Sequence, residues 1–279
     1  MISVSAPMEH SDHASSQGQF MNESAHWAAG RVAFITGASS GFGAALARRI
    51  VTAGGKVVAV GRRADRLEAL REELGDAVIT RAIDVRDESL IRPAIESLPD
   101  EFAGVDILFN NAGLAAGLDK AQSADFRDWQ TMIDTNVTGF AMVTHALLPG
   151  MVARNRGHII NMSSVAASYP YVGGAIYGGT KAFVRQFSLS LRSDLLGTAV
   201  KVTSVEPGMC DTEFSTVRFG GDRAQADAVY RDMKPLSADD VALTVESVLR
   251  LPDHVNVNTI EVMPVQQAFA GFAVDRRET

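Results

Sequence analysis

Arg31-Val32-Ala33-Phe34-Ile35-Thr36 runs directly into Gly37-Ala38-Ser39-Ser40-Gly41-Phe42-Gly43, and a stretch of helical period follows over 41–53. The first six residues read as a short buried strand, because an apolar run of this length bounded by glycine fits a strand covered on both faces. Glycine is required where the backbone turns tightly or where another group must approach the main chain closely. A helix that opens on such a turn presents unpaired N–H groups and a positive dipole end, which suit a phosphate. Position gives the motif its meaning: a glycine-rich turn between a first strand and a first helix opens a dinucleotide-binding unit.

The rest of the chain continues that alternation. Further strands are expected at 56–60, 77–83, 105–110, 157–162, 200–205 and 258–263, with helices at 64–74, 87–98, 123–153, 175–195 and 237–250. Strands alternating with helices predict an α/β fold, a single Rossmann-type doubly wound parallel sheet with helices on both faces. No internal repeat and no linker interrupts it. The loop after Pro207 is long and polar, with a short helix or two expected near 212–232.

Residues 28–279 are therefore expected to form one domain, preceded by a flexible tail over 1–27 that is rich in Ser, His, Gln and Asn. His10 and His13 lack a third ligand nearby, so no metal site is expected. Met21 is an alternative start to Met1. The net charge of -7, without a long basic run, argues against a nucleic-acid partner. One cysteine, Cys210, leaves no intramolecular disulfide to form. No run reaches the roughly 18–20 apolar residues that span a bilayer, and no signal peptide is evident, so no membrane association and a cytoplasmic location are expected.

The second strand ends before Gly61-Arg62-Arg63. A carboxylate at this place would bind a ribose 2′-hydroxyl; two guanidinium groups suit a 2′-phosphate, so the expected cofactor is NADP(H). Gly37, Ser39, Ser40, Gly41, Phe42 and Gly43 would cradle the diphosphate. Asp84-Val85 after the third strand would meet the adenine. Asn110-Asn111-Ala112-Gly113 after the fourth would lie along the cofactor, since short side chains permit close approach.

Ser163-Ser164 ends the fifth strand, and Tyr177-Gly178-Gly179-Thr180-Lys181 opens the next helix. Residues four apart share a helix face, so Tyr177 and Lys181 point the same way. A nearby ammonium favours a tyrosinate over the phenol and so fits Tyr177 for proton transfer. Thr36-Gly37 to Gly43, Asn110 to Gly113, Asn136, Ser164, Tyr177, Lys181 and Pro207-Gly208 to Thr212 occur in order, and this set resembles the classical short-chain dehydrogenases/reductases over about residues 30–265. The resemblance implies Ser164 rather than Ser163 as the hydroxyl that holds the substrate oxygen, since Ser164 lies 13 positions before Tyr177. It also implies that Asn136 holds a water in a proton relay with Lys181, and that Thr212, beside Pro207 and Gly208, binds the nicotinamide carboxamide. Phe42 stands where that family more often has an aliphatic residue.

Segments 132–136, 148–164, 177–208 and 212–222 are similar to those of bacterial NADP-dependent 3-hydroxy acid dehydrogenases, a group that includes serine dehydrogenase and malonic semialdehyde reductase. They are also similar to sulfoacetaldehyde reductases. The implied reaction is hydride transfer between nicotinamide and a short 3-hydroxy acid or semialdehyde. The alternatives are an isethionate-forming sulfoacetaldehyde reductase, a general carbonyl reductase, and an NADP-sensing regulator on the same fold. Both acidic substrate types require a cation. Arg218, in the loop after Thr212, is the candidate; a solvated loop arginine is the bland alternative, and Arg276 or Arg277 of a partner's tail is another source. Arg185, one turn beyond Lys181, is expected to face an interface. Apolar residues on more than one face of 123–153 and 175–195, together with the resemblance, imply a homotetramer.

Overall fold

Val32–Thr36 forms strand β1 of the computed structural model, which describes residues 26–269, and every residue of the strand is buried. It is joined by β2 (Lys56–Gly61), β3 (Val78–Ala82), β4 (Val105–Asn110), β5 (Gly157–Met162), β6 (Val200–Pro207) and β7 (Thr259–Val262). The sheet order is β3-β2-β1-β4-β5-β6-β7, and every pairing is parallel. Between the strands lie α1 (Gly41–Thr52), α2 (Ala64–Leu74), α3 (Glu88–Glu96), α4 (Asp100–Ala103), α5 (Phe126–Ile133), α6 (Phe140–Ala153), α7 (Ala175–Asp194), α8 (Glu213–Arg218), α9 (Arg223–Ala228) and α10 (Ala238–Leu249).

Alternation along each strand divides its side chains between two cores. On one face Ala33, Ile35, Val57 and Ala59 pack with Leu46 and Ile50 of α1 and Val241 and Val245 of α10. On the other, Phe34, Val58 and Val60 pack with Val143, Leu147 and Met151 of α6 and Leu191 of α7. Burial of both faces explains why the strands read as continuous apolar runs. This is the doubly wound sheet that the sequence led us to expect.

Two local features differ from the sequence reading. The long helix begins at Phe126, capped by the Asp125 carboxylate on the Arg127 amide, and residues Asp134–Gly139 between α5 and α6 wind as a π-helix. Gly139 there abuts the Val85 backbone so closely that a Cβ would lie 2.7 Å from the Val85 carbonyl oxygen. In addition, the continuous run Phe126–Ala153 is long and apolar enough, by length and composition, to cross a membrane, contrary to the sequence expectation. The reason is that it is apolar on more than one face; here Val143, Leu147 and Met151 pack on the sheet. Trp27 packs against the first core. His10, His13, Met21, Arg276 and Arg277 lie outside the described residues.

Candidate active site

From β1 the chain crosses to β2 on one side, whereas β4 lies on the other. The loops leaving β1 and β4 therefore diverge, and a crevice opens beyond their carboxyl ends. A cavity of about 690 Å³ occupies it, running from Gly37 and Arg63 to Tyr177 and Arg218.

Its floor is a backbone cradle. The Thr36 hydroxyl donates to the Phe109 carbonyl and accepts from the amides of Asn111 and Ala112 at 3.0 Å each, which ties the β4 loop to β1. The Asn111 side chain returns the connection by donating to the carbonyls of Thr36 and Gly37, at 2.9 and 3.2 Å. Gly37 has φ +68°, and a Cβ on it would lie 2.8 Å from Asn111 Nδ2. A Cβ on Gly43 would sit 2.5 Å from the Gly37 carbonyl oxygen. Both positions therefore demand glycine. Ser40, the residue before α1, is extended and makes no side-chain cap bond, so the first amides of α1 are left for another acceptor. A glycine-lined cradle against uncapped helix amides fits a diphosphate. Phe42 packs against the core beside it.

At the β2 end, Arg63 donates to Ser39 Oγ at 3.1 Å, to Ser40 Oγ at 2.7 Å and to Glu213 at 2.8 Å. Arg62 is exposed, close enough to Asp84 to favour that carboxylate. Asp84 is bound more directly by Arg86 at 2.7 Å, which holds its carboxyl below the ordinary range. Val85 is buried against Gly139. All of these except Arg86 and Gly139 line the cavity.

At the other end, Tyr177 and Lys181 share the inner face of α7, with the Lys181 ammonium 5.7 Å from the Tyr177 ring centre. Lys181 Nζ donates to the Met162 carbonyl at 2.8 Å. Gly113 leaves room for this head group, since a Cβ there would be 3.3 Å from Nζ and 3.2 Å from Asn136 Oδ1. Asn136, within the π-helix, accepts from the Leu114 amide at 2.9 Å and donates to the Leu114 carbonyl at 2.8 Å and to Thr180 Oγ1 at 3.1 Å. Its amide thereby fixes the loop after β4. Ser163 donates to the Lys181 carbonyl, which locks β5 to α7. Ser164 Oγ instead donates to the Pro207 carbonyl at 3.4 Å and accepts from the Ala166 amide, near enough to Tyr177 to favour its ionised form.

Burial raises the Tyr177 hydroxyl well above the ordinary phenol value, and the Ser164 hydrogen bond opposes this only in part. Burial also brings the Lys181 ammonium down to about 8. Tyr177 is therefore a neutral phenol in this state, a proton donor rather than a base. Loss of water around both groups outweighs the lowering of the tyrosine by the lysine that the sequence led us to expect.

The loop after Pro207 and Gly208 closes the cavity. Thr212 caps α8 by accepting from the Phe214 amide at 3.2 Å. Phe214 packs 5.6 Å from the Tyr177 ring. The Arg218 guanidinium lies over three rings, 5.3 Å from Tyr177, 5.5 Å from Tyr171 and 5.6 Å from Phe214, and it donates to the Tyr171 hydroxyl. Its Nε–H is buried with no partner among the described residues. The Gly117 amide donates to the Arg218 carbonyl at 3.1 Å, joining this loop to the one after β4. Sequence reasoning missed Tyr171, Phe214, Arg66 and Glu213. Only Arg66, one helical turn beyond Arg63, carried a local signal.

The profile of the short chain dehydrogenase family matches residues 31–220. Serine 3-dehydrogenase of Rhizobium radiobacter is 56% identical over 242 residues, covering 87% of this chain and 97% of that protein. The NADP-dependent 3-hydroxy acid dehydrogenase YdfG of Escherichia coli (strain K12) is 52% identical over 247 residues, covering 88% of this chain and 100% of that one. Among solved structures, the closed form of a serine dehydrogenase complexed with NADP+ superposes with a TM-score of 0.87 at 52% identity, covering 88% of this chain and 100% of that chain.

Proposed function

The chain belongs to the short-chain dehydrogenase family, and from that premise we propose that this cavity interconverts a short 3-hydroxy acid and its semialdehyde. The protein is an NADP-dependent oxidoreductase acting on a CH–OH group. When bound, the nicotinamide supplies hydride donation and acceptance.

The cradle from Gly37 through Ser39, Ser40, Gly41, Phe42 and Gly43 would hold the diphosphate, Arg62 and Arg63 the 2′-phosphate, and Asp84 with Val85 the adenine. Asn111, Ala112 and Gly113 would border the cofactor, and Pro207, Gly208 and Thr212 its nicotinamide end. In the reducing direction Tyr177, held neutral by burial, passes its hydroxyl proton to the carbonyl oxygen. Ser164 donates a hydrogen bond to that same oxygen and orients it. Lys181 would hold positive charge 5.7 Å from the ring centre, where it favours the tyrosinate that proton transfer leaves, and would bind the ribose hydroxyls. Asn136 would link Lys181 to solvent through a held water. In the oxidising direction the same groups act in reverse, the tyrosinate taking the alcohol proton.

The observation that favours an acidic substrate is Arg218. A buried guanidinium N–H without a partner, set beside the proton donor, is an anion receptor awaiting its anion. Its aromatic surround keeps water from it. Arg218→Ala should lower kcat/KM for L-serine and 3-hydroxypropionate by the ~1.5–3 kcal/mol of a charged hydrogen bond, about 10- to 150-fold, and leave 1,3-propanediol nearly unchanged. Equal losses on acid and diol would show that Arg218 only orders its loop. Isethionate in the same panel reports whether a sulfonate serves in place of the carboxylate.

We further propose a homotetramer. Phe183 and Leu189 on α7 and Val152 on α6 are exposed apolar residues on helices whose other faces are packed. Light scattering at micromolar protein is expected to give four times the chain mass of 29.8 kDa; a monomer would refute the assembly.

A further inference from the structure

Glu213, the first residue of α8, is gripped by two arginines from the opposite side of the cavity mouth. Arg63 Nη1 donates to its Oε2 at 2.8 Å, and Arg66 Nη1 donates to its Oε1. Each guanidinium takes one oxygen. Arg63, at the residue before α2, and Arg66, in the first turn of α2, are near neighbours on that helix, as three-residue spacing requires. The pairing holds the Glu213 carboxyl down to about 2, through Arg66 first and Arg63 second, so it is an anion at any working pH. Arg63 also reaches Ser39 and Ser40 in the diphosphate turn, which places this ionic cluster at the edge of the cofactor cradle.

Helix α8 has no structural need for this carboxylate. Thr212 already caps the helix, and an acid in the first turn would serve the helix dipole without reaching across the cavity. The arrangement of one anion bridging two guanidiniums beside the β2 loop is the one a phosphate would adopt there.

We propose that Glu213 is an internal stand-in for the cofactor's 2′-phosphate. It occupies Arg63 and Arg66 until that phosphate displaces it, and Arg66 is a second guanidinium of the phosphate subsite. The inference rests on the NADP assignment above. A 2′-phosphate carries about -1.5 to -2 charges and three acceptor oxygens, against one charge and two oxygens on Glu213. It therefore competes for both arginines, whereas the bare 2′-hydroxyl of NAD does not. Displacement also frees α8 from α2. The rest of α8 keeps its own ties when Glu213 is displaced, through the Gly117 amide on the Arg218 carbonyl and the Ser215–Tyr230 hydroxyl pair.

The test uses adenosine 2′,5′-bisphosphate and AMP, which differ only in the 2′-phosphate, titrated calorimetrically into the full-length protein. Glu213→Gln should tighten the bisphosphate about three- to tenfold, the range appropriate to releasing half-exposed ion pairs, and leave AMP unchanged. Arg66→Ala should weaken the bisphosphate about tenfold and again leave AMP unchanged. AMP binding thus reports an intact fold in both variants. If the parent binds the bisphosphate no more tightly than AMP, the NADP reading fails. If the parent discriminates but Glu213→Gln leaves bisphosphate affinity equal or weaker, the stand-in is overturned. An Arg66→Ala protein with parental bisphosphate affinity removes Arg66 from the subsite.

Discussion

Replacing Tyr177 by phenylalanine is expected to lower turnover by about 10²–10⁴, the range for loss of a positioned acid–base group, while NADPH binding and thermal midpoint stay near the parent's. The geometry makes this a clean deletion. The Tyr177 ring is buried and packed on Phe214, and phenylalanine retains that ring. Only the hydroxyl and its polar interaction with Ser164 disappear. Binding followed by nicotinamide fluorescence, beside steady-state rates, separates the effects. Near-parental turnover would end the assignment of Tyr177 as the proton carrier.

Lys181→Met is expected to remove at least ~10²-fold of turnover and yet not lower the melting temperature at pH 7. The Lys181 side chain is 5% exposed, and burial depresses its ammonium from 10.5 to about 8. A difference of that size means the folded state bears about 3 kcal/mol for keeping the charge. Methionine relieves the penalty and fills similar volume, at the loss of the 2.8 Å bond to the Met162 carbonyl, about 1–3 kcal/mol. Between pH 8 and 10.5 the unfolded chain holds a Lys181 proton that the folded chain has released, so this group makes the parent more stable as pH rises through that window. Below pH 8 both states are protonated and the penalty is complete. The melting-temperature difference between variant and parent should therefore be most favourable to the variant at pH 7 and move toward the parent by pH 9. Taking the difference cancels the opposite contribution of Cys210, raised by burial, and Tyr177, also raised, stays protonated in both folded proteins across this window. A drop of several degrees at pH 7 would show that the Met162 bond outweighs desolvation.

The strands, the glycine cradle and the Tyr177–Lys181 pair were legible because each is local. A buried parallel strand declares itself within six residues, and a helix face within four. What escaped notice depends on contacts across the topology. Arg66 and Glu213 lie 147 residues apart and meet only because the loop after β6 crosses the end of β2. Tyr171 comes under Arg218 from another loop, 47 residues away. The sequence grouped Arg62 with Arg63 because they are adjacent, whereas the fold groups Arg63 with Arg66. The π-helix at 134–139 ends where Gly139 meets the Val85 backbone, a contact that no periodicity within the helix could reveal. Periodicity also could not supply the dielectric around Tyr177, and the sense of its shift depended on that.

The pairing of β1 with β4 has a consequence for biosynthesis. Thr36 finds Phe109 and Asn111 only after more than seventy further residues have been made. The cavity wall near Tyr177 waits longer, for Pro207 and the loop beyond it. A nascent chain that ends short of Asn111 thus carries the glycine turn without the partners that shape it into a cradle, and one that ends short of Pro207 still lacks the wall beside Tyr177. Long-range parallel pairing of this kind forms slowly, and a ligand stabilises only states that already possess its site. The dinucleotide therefore acts as a seal on the finished molecule, not as a template around which the growing chain assembles.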